Sequence, residues 1–211
     1  MNIIINLSLI IIIFICIFIC FLVYFNRTEY IDIRFRNKKV ILSPAYGKII
    51  NIEETENNYI IFIQLNIFDI HTQYSPVDGK IEKIIHKPYK ISDTKYTKNV
   101  IINRENILNK KTYDNECVFY VIKTKNTRFQ IENISVKNKT IGLVQIAGKF
   151  ANRIQSYVSL GDDIKQQDPI GRILLGSQVN LILPKSRDIQ LLNLRKNMKV
   201  YGGQTPLAIW K

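Results

Sequence analysis

Three features are scarce or missing in this 211-residue chain, and each narrows what it can be. Cysteine is scarce. Of three residues, Cys16 and Cys20 lie in one apolar run and Cys117 stands alone. No metal-ligand spacing and no disulfide framework can be read from them, which is compatible with a reducing compartment. Charge is absent before Arg27. A secretory signal peptide opens with basic residues and ends at small residues suited to cleavage; this start has neither, and its apolar run is too long. Nucleic-acid reader motifs are also missing. The net charge is +13, but the lysines are scattered, so no nucleic-acid partner is expected.

What stands in place of early charge is an apolar run over residues 3–25, interrupted only by Asn6 and Ser8. A helix of that length crosses the roughly 30 Å hydrocarbon core of a bilayer. Arg27, Arg34, Arg36, Lys38 and Lys39 follow it, and no Lys or Arg precedes it. The positive-inside rule then puts the remainder on the cytoplasmic side of a single-pass membrane protein. A cationic body held there would be drawn to anionic lipid, at about 1 kcal/mol per basic residue near the surface.

The expected domains are an anchor at 1–26, a polar connector at 27–40 and one folded body at 41–211. Short segments rich in β-branched and aromatic residues fill the body, separated by Gly, Pro, Asn and Asp. Only residues 147–154 and 188–198 have helical potential. The expected fold is mostly β, a barrel or sandwich with short helices, preceded by one transmembrane helix. The stretch SPAYGKI at 43–49 returns as SPVDGKI at 75–81, with five of seven positions alike. Taken alone, that echo is two similar turns.

From Gln178 the sequence alternates, with Val179, Leu181 and Leu183 on one side and Gln178, Asn180 and Ile182 on the other. That is the period of a half-buried strand. Gly176 and Ser177 stand just before it, where a turn is the ordinary reading.

Five motifs in order change that reading: LSPAYGKI, FDIHTQYSPVDGKI, GLVQIAGKFANRI, GDDIKQQDPIGRILLGSQVNLILP and GGQTPLA. Over residues 41–210 the chain resembles the short, membrane-anchored phosphatidylserine decarboxylases. The resemblance implies that the chain cuts itself between Gly176 and Ser177, leaving fragments 1–176 and 177–211 as partners. It implies that Ser177 becomes a covalent pyruvoyl group (a pyruvate cofactor made from the chain itself). The pyruvoyl ketone would form a Schiff base with the serine amine of phosphatidylserine and hold electrons when carbon dioxide leaves. These residue types suit such chemistry. A serine hydroxyl needs a base to become nucleophilic, and glycine lets the preceding backbone strain.

Within the same resemblance His71 is a general acid/base, although alone it would read as a structural histidine. Arg153 falls at a basic position and implies a contact with lipid phosphate or carboxylate. His86 matches nothing and reads as a surface residue. The chain departs from the family at Tyr46, where relatives carry Asp, and at Tyr74, where relatives place His or Arg. Asp78, in the second echo, is a candidate substitute carboxylate. The leading reading is a lyase that converts phosphatidylserine to phosphatidylethanolamine, and a homo-oligomer is compatible with it. The alternative is a catalytically degenerate, membrane-tethered module.

Overall fold

The computed structural model describes residues 2–25, 27, 29, 31, 36–87, 115–124, 140–148, 154–173 and 177–211. The apolar run is one helix, α1 (Asn2–Phe25), of 24 residues. At 1.5 Å per residue it is about 36 Å long. Its described side chains are exposed on every side, with Leu7 at 58%, Phe14 at 69% and Val23 at 69%. Among the described residues, little of this helix is covered by protein. Water would be a poor solvent for it, and a bilayer a good one.

The other elements are strands, and every pairing is antiparallel. They are β1 (Val40–Leu42), β2 (Gly47–Glu54), β3 (Asn58–Leu65), β4 (Thr72–Tyr74), β5 (Gly79–Lys87), β6 (Cys117–Thr124) and β7 (Thr140–Ala147). They continue with β8 (Ile154–Ser156), β9 (Asp163–Ile164), β10 (Pro169–Ile173), β11 (Ser177–Pro184), β12 (Ile189–Leu191), β13 (Lys199–Val200) and β14 (Pro206–Trp210). One eight-stranded sheet runs β13-β2-β3-β11-β7-β6-β5-β9, and two three-stranded sheets run β1-β14-β12 and β4-β10-β8.

The alternation of β11 is realised, with one difference. Val179, Leu181 and Leu183 join the main core with Ile61, Ile63 and Leu143. Ile182 joins a second cluster on the other side, with Ile60, Phe62, Phe119 and Val144. The strand is therefore buried on both faces, because each face packs into an apolar cluster. Residues 188–198, which have helical potential, form β12 and turns instead. Ile189 enters the main core there and Leu191 packs against it, so pairing with β14 overrides local propensity. The other such segment, 147–154, lies partly outside the described residues.

The echoed SP elements are one device used twice. Ser43 Oγ donates to Ala45 O at 2.8 Å, and Ser75 Oγ to Val77 O at 2.7 Å. The two are also cross-linked: Leu42 N donates to Pro76 O, and Tyr74 N to Pro44 O. Each serine amide donates to a residue just before a strand-opening proline, Ser43 N to Thr205 O and Ser75 N to Asp168 O. The glycine of each element lies against a neighbouring strand. A Cβ on Gly47 (φ +149°) would come 2.2 Å from Gln64 O, and one on Gly79 would come 2.6 Å from Ile122 Cγ2. The first position tolerates only glycine.

Candidate active site

Ser177 opens β11, pinned on both sides by pairing with Leu65 of β3 and Ala147 of β7. The register continues outward, since Lys48 faces Gln64 and Val200 faces Gly47. Val200, Gly47, Leu65, Ser177 and Ala147 thus form one row at an end of the large sheet. Gly47 lies two strands from Ser177, about 10 Å away at ordinary strand spacing. Ser177 is 7% exposed, and its Oγ is buried with no hydrogen-bond partner among the described residues. An unsatisfied buried hydroxyl costs about 1–3 kcal/mol, and such an exception in a native fold calls for an explanation. Gly176, the other half of the expected cleavage site, lies outside the described residues, as does Arg153.

His71 lies in the connection that leaves β3 at this end and enters β4. It is fully buried. Its Nδ1–H donates to Asp69 O at 2.7 Å, which leaves Nε2 as the basic nitrogen of the neutral ring. Burial pushes its pKa below the ordinary histidine value. The Asp69 carbonyl opposes that shift, and the charges of Arg172 and Arg27 add to it. A neutral imidazole at pH 7 follows. The backbone of His71 is fixed to β10: its carbonyl accepts from Ile173 N at 3.2 Å and from Gln73 Nε2 at 2.7 Å. Ile173 ends β10, and four residues later the chain reaches Ser177. His71 and Ser177 are therefore held by the two ends of the same short connection.

A buried polar chain stands behind this arrangement. Tyr120 OH donates to Gln145 Oε1, Gln145 Nε2 to Gln73 Oε1, and Gln73 to the His71 carbonyl. Gly171 leaves the space for it, since a Cβ there would approach Gln145 Nε2 to 2.7 Å. Arg172 is 9% exposed and pairs in register with Thr72, next to His71. Sequence reasoning passed over Arg172, Gln73 and Gln145. For Arg172 and Gln145 the available signal was a charged or amide side chain in a largely apolar strand; Gln73, between Thr72 and Tyr74, carried none.

The two departures from the family pattern touch each other. Tyr46 and Tyr74 meet edge to face, with ring centroids 6.3 Å apart, beside Ile70 and Ile31. Gly202 admits both rings, since a Cβ there would come within 3.0 Å of each. The Tyr46 hydroxyl donates to Glu29 and accepts from Gln204 Nε2 at 2.8 Å. Burial, then the Glu29 carboxylate, pushes the Tyr46 phenol far above its ordinary value. Burial and the same charge push Tyr74 up to about 12. Both remain neutral donors, and neither is a base at pH 7. Asp78 has both oxygens engaged, Oδ1 with Gln166 N at 2.8 Å and Oδ2 with Lys38 Nζ at 3.4 Å. His86 is half exposed and pairs with Glu116 at 2.8 Å.

The connector after α1 is stapled over this end of the body. Arg27 donates to Phe68 O, Glu29 accepts from Tyr46, Ile31 packs on Tyr46 and Tyr74, and Arg36 pairs with Asp168 at 2.7 Å.

The sequence profile described as phosphatidylserine decarboxylase matches residues 18–208. A phosphatidylserine decarboxylase proenzyme of Carboxydothermus hydrogenoformans is 29% identical over 179 residues, 82% of this chain and 72% of the relative. One of Burkholderia ambifaria is 30% identical over 174 residues, 80% of this chain and 69% of the relative. One of Cupriavidus metallidurans is 31% identical over 150 residues, 68% and 59% respectively. No solved structure matches the chain significantly. With nearly its whole length matched, the chain belongs to the phosphatidylserine decarboxylase family, and it is a carboxy-lyase.

Proposed function

We propose that this chain is made as a proenzyme, cuts itself between Gly176 and Ser177, and converts phosphatidylserine to phosphatidylethanolamine at the cytoplasmic face of the membrane that α1 crosses. The observation that carries this reading is the buried Ser177 hydroxyl, which has no hydrogen bond among the described residues and opens a strand fixed on both sides. A hydroxyl kept out of water and out of hydrogen bonds is suited to attack a neighbouring carbonyl once a base takes its proton.

The steps balance with the chain's own atoms and water. Ser177 Oγ adds to the Gly176 carbonyl, the amide becomes an ester, and the serine nitrogen is freed as an amine. Loss of the Ser177 Cα proton expels the Gly176 carboxylate and leaves a dehydroalanine. Its imine tautomer takes up water and releases ammonia, so the new amino terminus is an α-keto acyl group in amide linkage to Gln178. These residues fit a serine-derived pyruvoyl group, since Ser177 sits at a strand start where a new chain end can form. Such a group supplies an electron sink for the pair left behind by carbon dioxide.

His71 holds and moves the protons. Its Nε2 takes the proton of the Ser177 hydroxyl during self-cleavage and later delivers one to the lipid α-carbon. Burial, with the charge of Arg172 adding to it, keeps the ring neutral, and Arg172 contributes positive charge where an anionic headgroup arrives. Arg153 is the expected second contact for the lipid phosphate or carboxylate.

Denaturing electrophoresis and intact mass of the purified full chain test this together. The expected result is a fragment of residues 177–211 with a blocked amino terminus, and formation of phosphatidylethanolamine on vesicles containing phosphatidylserine. A single uncut chain with an unmodified Ser177 would overturn it.

A further inference from the structure

The turn between β3 and His71 carries apolar side chains outward. Asn66 N donates to Asp69 Oδ2, and Asp69 N donates to Asn66 O. These bonds close the turn and leave Ile67 and Phe68 at its tip, 42% and 61% exposed. Neither belongs to the core clusters of the body. These bonds close the turn through backbone and the Asp69 carboxylate, so they do not account for a phenyl ring and a branched aliphatic side chain in water.

The location of the tip accounts for them. Arg27 lies two residues beyond the end of α1. Its Nη1 donates to Tyr24 O at 2.9 Å, its Nη2 donates to Phe68 O at 2.6 Å, and its guanidinium lies 3.9 Å from the centre of the Tyr24 ring. One side chain therefore joins the last turn of the spanning helix to the tip. In a helix that crosses a bilayer, a terminal Tyr followed by Arg marks the headgroup layer. The carbonyl of Phe68 is at that same depth.

We propose that the Asn66–Asp69 turn is a membrane-inserting tip: Ile67 and Phe68 enter the interfacial layer of the bilayer crossed by α1 and hold the His71 shoulder against the lipid headgroups. The partner is a glycerophospholipid surface, identified by the continuity of the tip with the spanning helix. Apolar side chains gain free energy on entering the upper few ångströms of the acyl region. The connection to His71 is short and stiff, since Asp69 O accepts from the His71 ring. Depth at the tip thereby sets the depth of the site. This inference rests on the reading of α1 as a retained anchor.

The test uses the full chain in phosphatidylcholine vesicles containing phosphatidylserine. In a Trp210→Phe background, Phe68→Trp reports the tip, and Glu56→Trp reports the far end of β3, about 25 Å away along the strand. Lipids brominated near the top of the acyl chain should quench the first at least about threefold more than the second. Ile67→Trp serves as a second reporter if the first variant folds poorly. Equal quenching at the two ends would overturn the proposal. A double variant, Ile67→Ser with Phe68→Ser, should raise KM on vesicles about five- to tenfold with kcat nearly unchanged and leave turnover of a short-chain soluble phosphatidylserine intact. An equal loss on both substrates would also overturn it. If the tip is quenched but no phosphatidylethanolamine forms, the proposed function falls and the tip stands. If product forms without quenching, the reverse holds.

Discussion

Tyr46 and Tyr74 pack ring against ring, 6.3 Å between centroids and 63° between planes, and one carboxylate, that of Glu29, acts on both phenols. The pair fills space at the end of the sheet where the SP elements cross. A carboxylate at position 46 would stand beside Glu29, and two like charges in a half-dry site repel. Tyr46→Asp is therefore expected to destabilise the protein by about 2 kcal/mol or more, and Glu29→Gln in the same chain to recover much of the loss. Tyr46→Phe keeps the ring contact and loses two hydrogen bonds, a milder cost of about 1–2 kcal/mol. Urea titration of the wild type, Tyr46→Asp, Glu29→Gln and the double variant measures the coupling.

Ser177→Ala removes the attacking oxygen and little else. The variant should run as one uncut chain, stay with the membrane fraction and form no phosphatidylethanolamine. Ser177→Cys retains a nucleophile and is expected to cut, slowly. Time-resolved electrophoresis after translation distinguishes the two.

His71→Gln is expected to slow self-cleavage and, in the fraction that does cut, to slow decarboxylation by about 10²- to 10⁴-fold, the usual range for a lost general acid or base. The buried ring also links folding to pH. Its folded pKa is depressed. Below the ordinary histidine value of about 6.5 the unfolded chain binds a proton that the folded one refuses, so stability is full above that pH and declines as pH falls toward the folded value. Thermal unfolding between pH 7.5 and 5 should show this slope in the wild type and a shallower one in His71→Gln.

Gly171→Ala places a methyl group 2.7 Å from Gln145 Nε2 and 2.8 Å from Gln155 O. The amide must move, and the chain from Tyr120 to the His71 carbonyl breaks with it. A loss of about 1–3 kcal/mol is expected from overpacking. Activity should fall further than stability accounts for, measured at a temperature where the variant is fully folded.

The strands were legible because burial writes a period of two into their sequence, and β11 shows it from Gln178 to Leu181. Its second buried face was not legible. Gln178 and Asn180 are polar yet 8% and 0% exposed, because neighbouring strands and a side-chain pair between them replace water. His71 and Ser177 were found through the order of motifs, and the bond from Ile173 N of β10 to the His71 carbonyl depends on a tertiary contact no local pattern encodes. Glu29 escaped notice for the same reason: its relation to Tyr46 is made by the path of the connector. The strand at 189–191 was hidden by residues equally at home in a helix.

The position of β11 also decides what a cut ahead of Ser177 does to the molecule. Residues 177–211 supply the inner strand between β3 and β7, the edge strand β13, and the centre of the β1-β14-β12 sheet. Severing the backbone there frees two ends without freeing two pieces, because the shorter piece is woven into two of the three sheets. The mature protein would behave as a permanently interlocked heterodimer, inseparable without complete denaturation and unable to exchange its small subunit with a neighbour.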